Sequence, residues 1–195
     1  YCAAPSDVRR RSARTVMAAI LERLLSWLAP IMPFTTEEAF LMSVFADQAD
    51  SVHLLQMSET PSSWKDVDLA ARWEKIFRVR RVVTGAIEDA RREKRIRSSL
   101  EAAPKVFISA PDLMSAYESE AAEDIFITSQ AELVSDAAPE TAFRLPEESS
   151  VAVLPGQAAG IKCARSWKYF DPATADPEFP DVTARDAAAI REIRG

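Results

Sequence analysis

Residues 28–38 read Leu28-Ala29-Pro30-Ile31-Met32-Pro33-Phe34-Thr35-Thr36-Glu37-Glu38, and they separate two helical patterns. Upstream, apolar residues fall at Val8, Val16, Met17, Ile20, Leu21, Leu24, Leu25 and Leu28. That is the i, i+3, i+4 stripe of an amphipathic helix running from Ser6 to about Leu28. Pro30 and Pro33 lack the amide hydrogen a helix interior needs, so they stop it. Thr35 has Glu38 three residues on, the spacing of a capping box, which predicts a second helix from there to about Phe45.

Working outward, residues 46–65 carry Pro61, several serines and the extended-looking run Ser51-Val52-His53-Leu54, and read as a strap. A long third helix is predicted from about Val67 to Arg97, with Leu69, Trp73, Ile76, Phe77, Val83, Ala86, Ile87 and Ala90 as its stripe. Three apolar faces need a common core, and an antiparallel bundle supplies one. Past residue 103 the pattern changes. Lys105–Ile108, Glu132–Ser135, Ala142–Leu145 and Val151–Leu154 read as strands. Asp112–Ala122 reads as a helix, and Asp124–Thr128 as a short strand or a helix end. A Pro- and Asp-rich tail closes with a helix from about Ala184 to Ile193. The expected architecture is a mainly α helical bundle over 1–103, a small α+β module over 104–157, and an irregular tail over 158–195.

The composition is that of an ordinary globular chain: 195 residues, 48% apolar and 28% charged. The net charge of −6 is unevenly spread. Residues 1–103 hold 16 Lys and Arg against 14 Asp and Glu, whereas residues 104–195 hold 8 against 16. An acidic total therefore does not argue against nucleic acid, because binding depends on where positive charge is concentrated. Cys2 and Cys163 offer neither a disulfide framework nor a four-cysteine metal site, which suits a reducing cytoplasm. The absence of an initiator Met reads as a piece of a longer chain. The most apolar stretch, Val16 to Phe34, carries Glu22, Arg23 and two prolines, which makes a poor membrane span.

Catalytic signatures are missing. Four glycines make no phosphate-cradling loop, and His53, the only histidine, is expected to be a structural strap residue. Two basic clusters stand out instead. Arg9, Arg10, Arg11 and Arg14 crowd the start of the first helix, where the helix dipole disfavours them. Arg91, Arg92, Lys94, Arg95 and Arg97 crowd the end of the third, where it favours them, so solvated helix-end charge explains them equally well. Arg165 and Trp167, with Lys162 and Lys168 beside them, lie on an irregular segment. Aromatic rings and guanidinium planes there could stack on unpaired bases. Alternatively, Trp167 and Tyr169 form the small core of the tail.

Residues 28–38 are similar to the LAPILPFTAEE segment of class I aminoacyl-tRNA synthetases for branched aliphatic amino acids, which closes the first long helix of their anticodon-binding bundle. Tyr1-Cys2 resembles the end of an Asp-x-Leu-Tyr-Cys motif, Ser51–Leu54 the family's strap, and Ser99-Leu100-Glu101-Ala102 the end of its third helix. An α+β module followed by Cys163-Ala164-Arg165-Ser166-Trp167, close to a Cys-x-Arg-Cys-Trp knuckle, resembles the bacterial isoleucyl member. The resemblance implies the C-terminal region of a class Ia synthetase, with ATP and Mg²⁺ chemistry and editing in parts not included here. It implies binding of the isoleucine tRNA anticodon stem and loop, with the rest of the synthetase as a further partner. A cytoplasmic monomer is expected.

By motif, Arg165 and Trp167 would reach the anticodon loop, flanked by Lys162 and Lys168. Arg9, Arg10, Arg14, Arg91 and Arg95 would contact the stem. The family's zinc would need two Cys-x-x-Cys pairs. Here the positions read Cys163 and Ser166, then Thr183 and Asp186, and hydroxyls are poor zinc ligands. Zinc is therefore expected to be lost. Packing of Trp167, Tyr169, Phe170 and Phe179 is expected to hold the loop, stiffened by Pro172, Pro177 and Pro180. A valyl or leucyl relative, or a helical scaffold without an RNA role, are the alternatives.

Overall fold

The structure is a computed structural model that describes residues 2–194; Tyr1, half of the Tyr1-Cys2 likeness, lies outside them. The chain forms two compact units, one over residues 3–66 and one from Val67 onward together with Cys2.

The first unit is a helical hairpin with a strap. Helix α1 spans Val8–Leu28, and Asp7 caps it by accepting the Arg10 amide. Helix α2 spans Pro33–Leu41. The expected Thr35 capping box does not form: α2 starts at Pro33, whose fixed φ and missing N–H suit a first helical turn. The Thr36 hydroxyl instead donates to the Met32 carbonyl at 2.8 Å. The helix also stops at Leu41, short of Phe45. The strap is not extended, because residues Val52–Leu54 form a 3₁₀ turn. Glu37 holds it, accepting from the Ser51 hydroxyl at 3.0 Å and the Val52 amide at 2.8 Å. Val52 is thereby seated among Leu25, Ala29 and Phe40. The predicted α1 stripe is mostly solvent-facing. Leu25 is buried, while Val16, Met17, Ile20 and Leu24 are exposed.

In the second unit a helix packs on a sheet. Helix α3 spans Val67–Arg92, strands β1 (Lys105–Ile108), β2 (Glu132–Val134), β3 (Phe143–Leu145) and β4 (Glu148–Leu154) follow, and the sheet order is β2-β1-β4-β3. β1 pairs parallel with β2 and antiparallel with β4, and β3 pairs antiparallel with β4. Alternation along the two central strands sorts their side chains. Val106, Ile108, Val151 and Val153 join the core of α3, while Phe107 and Ala152 face a smaller cluster with Ala142. Each fully buried Val or Ile contributes about 1.5–3 kcal/mol.

From α3 this core takes Ile76, Val79, Val82, Val83, Ala86, Ile87 and Ala90, while Leu69 and Phe77 stay exposed. Contacts therefore divide the chain after Asp66, not near residue 103, because α3 gives its apolar stripe to the sheet. The helix expected over Asp112–Ala122 is shorter, α4 (Pro111–Ser115), and the segment expected as a short strand or a helix end over Asp124–Thr128 ends a second short helix, α5 (Ala122–Phe126). Between them Tyr117 is buried and its hydroxyl donates to the Ile76 carbonyl at 2.9 Å. α3 also ends earlier than predicted, at Arg92. The Arg95 amide reaches back to the Ala90 carbonyl, with Lys94 left-handed at φ 60°.

The tail contributes a two-stranded hairpin, β5 (Ile161–Lys162) and β6 (Tyr169–Phe170), and helix α6 (Ala184–Arg194). It is anchored to the loop before β2. The Tyr169 amide donates to the Ser129 hydroxyl at 2.7 Å, and that hydroxyl donates to the Leu100 carbonyl.

Candidate nucleic-acid interface

The turn joining β5 to β6 carries the Arg165–Trp167 pair. Its backbone is closed by the Cys163 amide on the Lys168 carbonyl at 2.8 Å and the Trp167 amide on the Cys163 carbonyl at 3.0 Å. The Ser166 amide points at Cys163 Sγ, 3.4 Å away. Trp167 sits at φ 63°, a conformation non-glycine residues adopt rarely, and its side chain projects outward at 61% exposure. Lys162 Nζ lies 5.1 Å from the indole centroid, within cation–π range.

Two readings of the tail are thereby separated. Trp167 is not part of the tail core, which is built from Cys163, Phe170, Val182 and Ala187 with Phe179 and Ile190 against them. Lys168 is less available than its sequence position suggests. Its ammonium pairs with Asp124 at 2.6 Å.

Beneath the turn the four positions that the resemblance sets together, Cys163, Ser166, Thr183 and Asp186, meet in a polar centre. Asp186, in the first turn of α6, is fully buried. Its Oδ2 accepts from the Ser166 hydroxyl at 2.6 Å, the Thr183 hydroxyl at 2.9 Å and the Cys163 thiol at 3.1 Å. Its Oδ1 faces Arg185 at 3.1 Å and Arg165 Nε at 3.9 Å. Burial works against ionisation, but the hydrogen bonds from Ser166, Cys163 and Thr183 and the charge of Arg185 outweigh it, and the carboxyl titrates below its usual value. The spacing Thr183-x-x-Asp186 was the available signal, since it is a helix-start pattern. The knuckle resemblance sets Asp186 beside Cys163 and Ser166, but not as the acceptor of their hydrogen bonds.

The other predicted contacts divide by whether they are already paired. Arg91 pairs with Glu88 at 2.7 Å, Arg95 with Glu93 at 2.6 Å, and Arg92 with Asp89. Lys94 and Arg97, in the same cluster, are exposed and make no ion pair among the described residues. With Glu88, Arg91, Arg92 and Ile96 they line a shallow depression at the end of α3. At the start of α1, Arg10 donates to the Ala3 carbonyl at 2.8 Å, and Arg9 and Arg14 are exposed. His53 sits exposed in the strap turn. Among the described residues no helix is long and apolar enough to cross a membrane.

The family described as the anticodon-binding domain of tRNA ligase matches residues 1–107, more than half of the chain. The chain belongs to this anticodon-binding family. Beyond the family match, it is similar end to end to bacterial isoleucine–tRNA ligases. Identity is 52% over 193 residues with that of Agrobacterium fabrum, covering 99% of this chain and 20% of the relative. The relatives from Bartonella quintana and Brucella abortus biovar 1 are 49% and 50% identical over 194 residues, again covering 20% of each. The chain thus spans about a fifth of the length of these relatives. The family match ends one residue short of the end of β1, so this anticodon-binding domain contributes α3 to a core whose other three strands lie beyond the match.

Proposed function

We propose that the chain binds the anticodon arm of isoleucine tRNA as a section of a cytoplasmic class Ia isoleucine–tRNA ligase, with its long helices belonging to that enzyme's anticodon-binding bundle. The end-to-end similarity to isoleucine–tRNA ligases supports the identity of the enzyme. Joining isoleucine to its tRNA, with ATP and Mg²⁺, would fall to parts of the enzyme other than this chain.

The observation that carries the site is Trp167: an outward-facing indole on a hydrogen-bonded turn, with a lysine beside it. Such a ring stacks on an unpaired base, worth roughly 1–3 kcal/mol per base. Lys162 supplies charge next to the stacked base. Lys94 and Arg97, unpaired and exposed, suit stem phosphates better than Arg91 or Arg95, whose charges are already matched. Arg9, Arg10 and Arg14 form a further positive patch for backbone contacts, which fix position without reading sequence.

The test is a fluorescence-anisotropy titration of the chain with isoleucine tRNA and with the same tRNA carrying another anticodon. The expected result is several-fold tighter binding of the native anticodon, lost in Trp167→Ala. Equal binding of both tRNAs by the unaltered chain would end the anticodon reading.

A further inference from the structure

Four side chains converge beneath the Trp167 turn from two separated segments, Cys163 and Ser166 on one side and Thr183 and Asp186 on the other. These are the positions at which the resemblance places four zinc-binding cysteines. The residues present do not suit that ion. One thiol, two hydroxyls and one carboxylate are a weak zinc donor set. The guanidinium groups of Arg165 and Arg185 also lie at 3.9 and 3.1 Å from the same carboxylate, placing positive charge where a dication would have to enter.

The carboxylate meets those donors differently. A single oxygen of Asp186 takes hydrogen bonds from Ser166, Thr183 and Cys163 at 2.6, 2.9 and 3.1 Å, and the other oxygen faces the two arginines. An N-cap contact accounts for Thr183, which also accepts the Asp186 amide at 3.2 Å. It does not account for Cys163 and Ser166, which come from a hairpin some twenty residues earlier. A buried carboxylate with every donor aimed at it cross-links the two segments as a metal would, with the signs inverted: a central anion accepting hydrogens replaces a central cation accepting electron pairs.

We propose that Asp186 is the positioning residue of a metal-free knuckle, a hydrogen-bonded hub that fixes the Cys163–Lys168 turn and so presents Trp167 outward. The part of this concerning RNA rests on the anticodon reading above; the hub itself does not. Arg165 has a second duty in this arrangement. Its Nε is buried and without a hydrogen-bond partner, close to Asp186, so part of its charge balances the hub rather than reaching solvent. Trp167 is left as the main outward reader.

The experiment compares the 195-residue chain with Asp186→Asn and Ser166→Ala by amide hydrogen exchange, metal analysis and tRNA titration. Asp186→Asn should speed exchange of the Cys163 and Trp167 amides by about tenfold or more, the scale of one lost charge-assisted hydrogen bond. Ser166→Ala should do so to a smaller degree, and the β1 and β4 amides should not change in either. The unaltered chain should purify without zinc and be indifferent to chelator.

A Ser166→Cys/Thr183→Cys/Asp186→Cys variant should bind one Co²⁺ with the visible absorption of a tetrahedral thiolate site and recover protection of the turn. Near-stoichiometric zinc in the unaltered chain, unchanged exchange in Asp186→Asn, or no Co²⁺ site in the triple variant would each overturn the hub. The tRNA arm separates the two ideas. If Trp167→Ala abolishes anticodon preference, Asp186→Asn should weaken it too, and unaltered preference there removes the positioning role. If Trp167→Ala changes nothing, Trp167 is not the reader and the presenting role falls, while exchange and metal content still decide the hub.

Discussion

Gly160 enters β5 at φ +97°, and a Cβ there would meet the Phe170 carbonyl oxygen at 2.0 Å. Gly160→Ala should therefore unpin the β5–β6 hairpin, costing about 1–3 kcal/mol in backbone strain alone, read as faster exchange across the Trp167 turn. Glu37 plays the corresponding part in the first unit. It is half-buried and accepts two hydrogen bonds from the strap, so Glu37→Ala leaves the Val52 amide without its carboxylate. That substitution should cost about 1.5–3 kcal/mol, measured as a lowered denaturant midpoint, with α3 amides unaffected. Glu148 is a third such anchor. Burial raises its pKa, but hydrogen bonds from Ser150 and Arg78 more than compensate, so it titrates below its usual value. Arg78 donates to it at 2.8 Å across the face where α3 meets β4.

Among the elements, α3 shows how a helix end is shaped by more than its own stability. Lys94 occupies the left-handed position after its last turn, where glycine is the usual residue. Lys94→Gly should stabilise the chain by up to about 1 kcal/mol, seen as a higher denaturant midpoint. The same change should weaken tRNA binding and flatten its salt dependence by one contact, a log–log slope near 0.7–0.9. An unchanged tRNA affinity would leave Lys94 as helix-end charge only. α1 behaves differently from its pattern. None of its residues before Leu25 is buried, so its first four turns rest on local propensity and on the Asp7 cap. Amide exchange should rank these turns among the least protected, and α3, β1 and β4 among the most.

For the molecule as a whole, acid should be destabilising through its depressed carboxyls, chiefly the buried Asp186 and Glu148. A carboxyl whose folded pKa lies below its unfolded value contributes stability above the unfolded value, roughly pH 4, and loses it as pH falls through the folded one. The chain should hold constant stability from neutral pH down to about 5 and lose it progressively below. Asp186→Asn should be less stable at neutral pH, with a shallower acid limb. Both are measured by denaturant titration across pH. Equal acid limbs in the two proteins would show that Asp186 is not held ionised by the fold.

Much of this molecule was legible as local pattern. The 3.6-residue stripe of Ile76, Val83, Ala86, Ile87 and Ala90 determined α3, the β-branched runs at Lys105–Ile108 and Val151–Leu154 determined the central strands, and Pro30 and Pro33 determined where α1 ends. Residues 28–38 also carried the family likeness, because a helix stop, two prolines and a helix start in that order are a local signature. What the stripe could not state is its partner. An apolar face needs only burial, and the tertiary structure gave that of α3 to a sheet distant in sequence and left most of that of α1 in solvent. Whether Trp167 points in or out was equally undetermined, since an indole suits a core and a stacking platform alike. The resemblance set Cys163 and Ser166 beside Thr183 and Asp186, but that they meet as hydrogen-bond donors around a buried carboxylate depends on how a hairpin and a helix pack across twenty residues. Hydrogen bonds act over a few ångströms in space, and only the folded chain decides which side chains come that close.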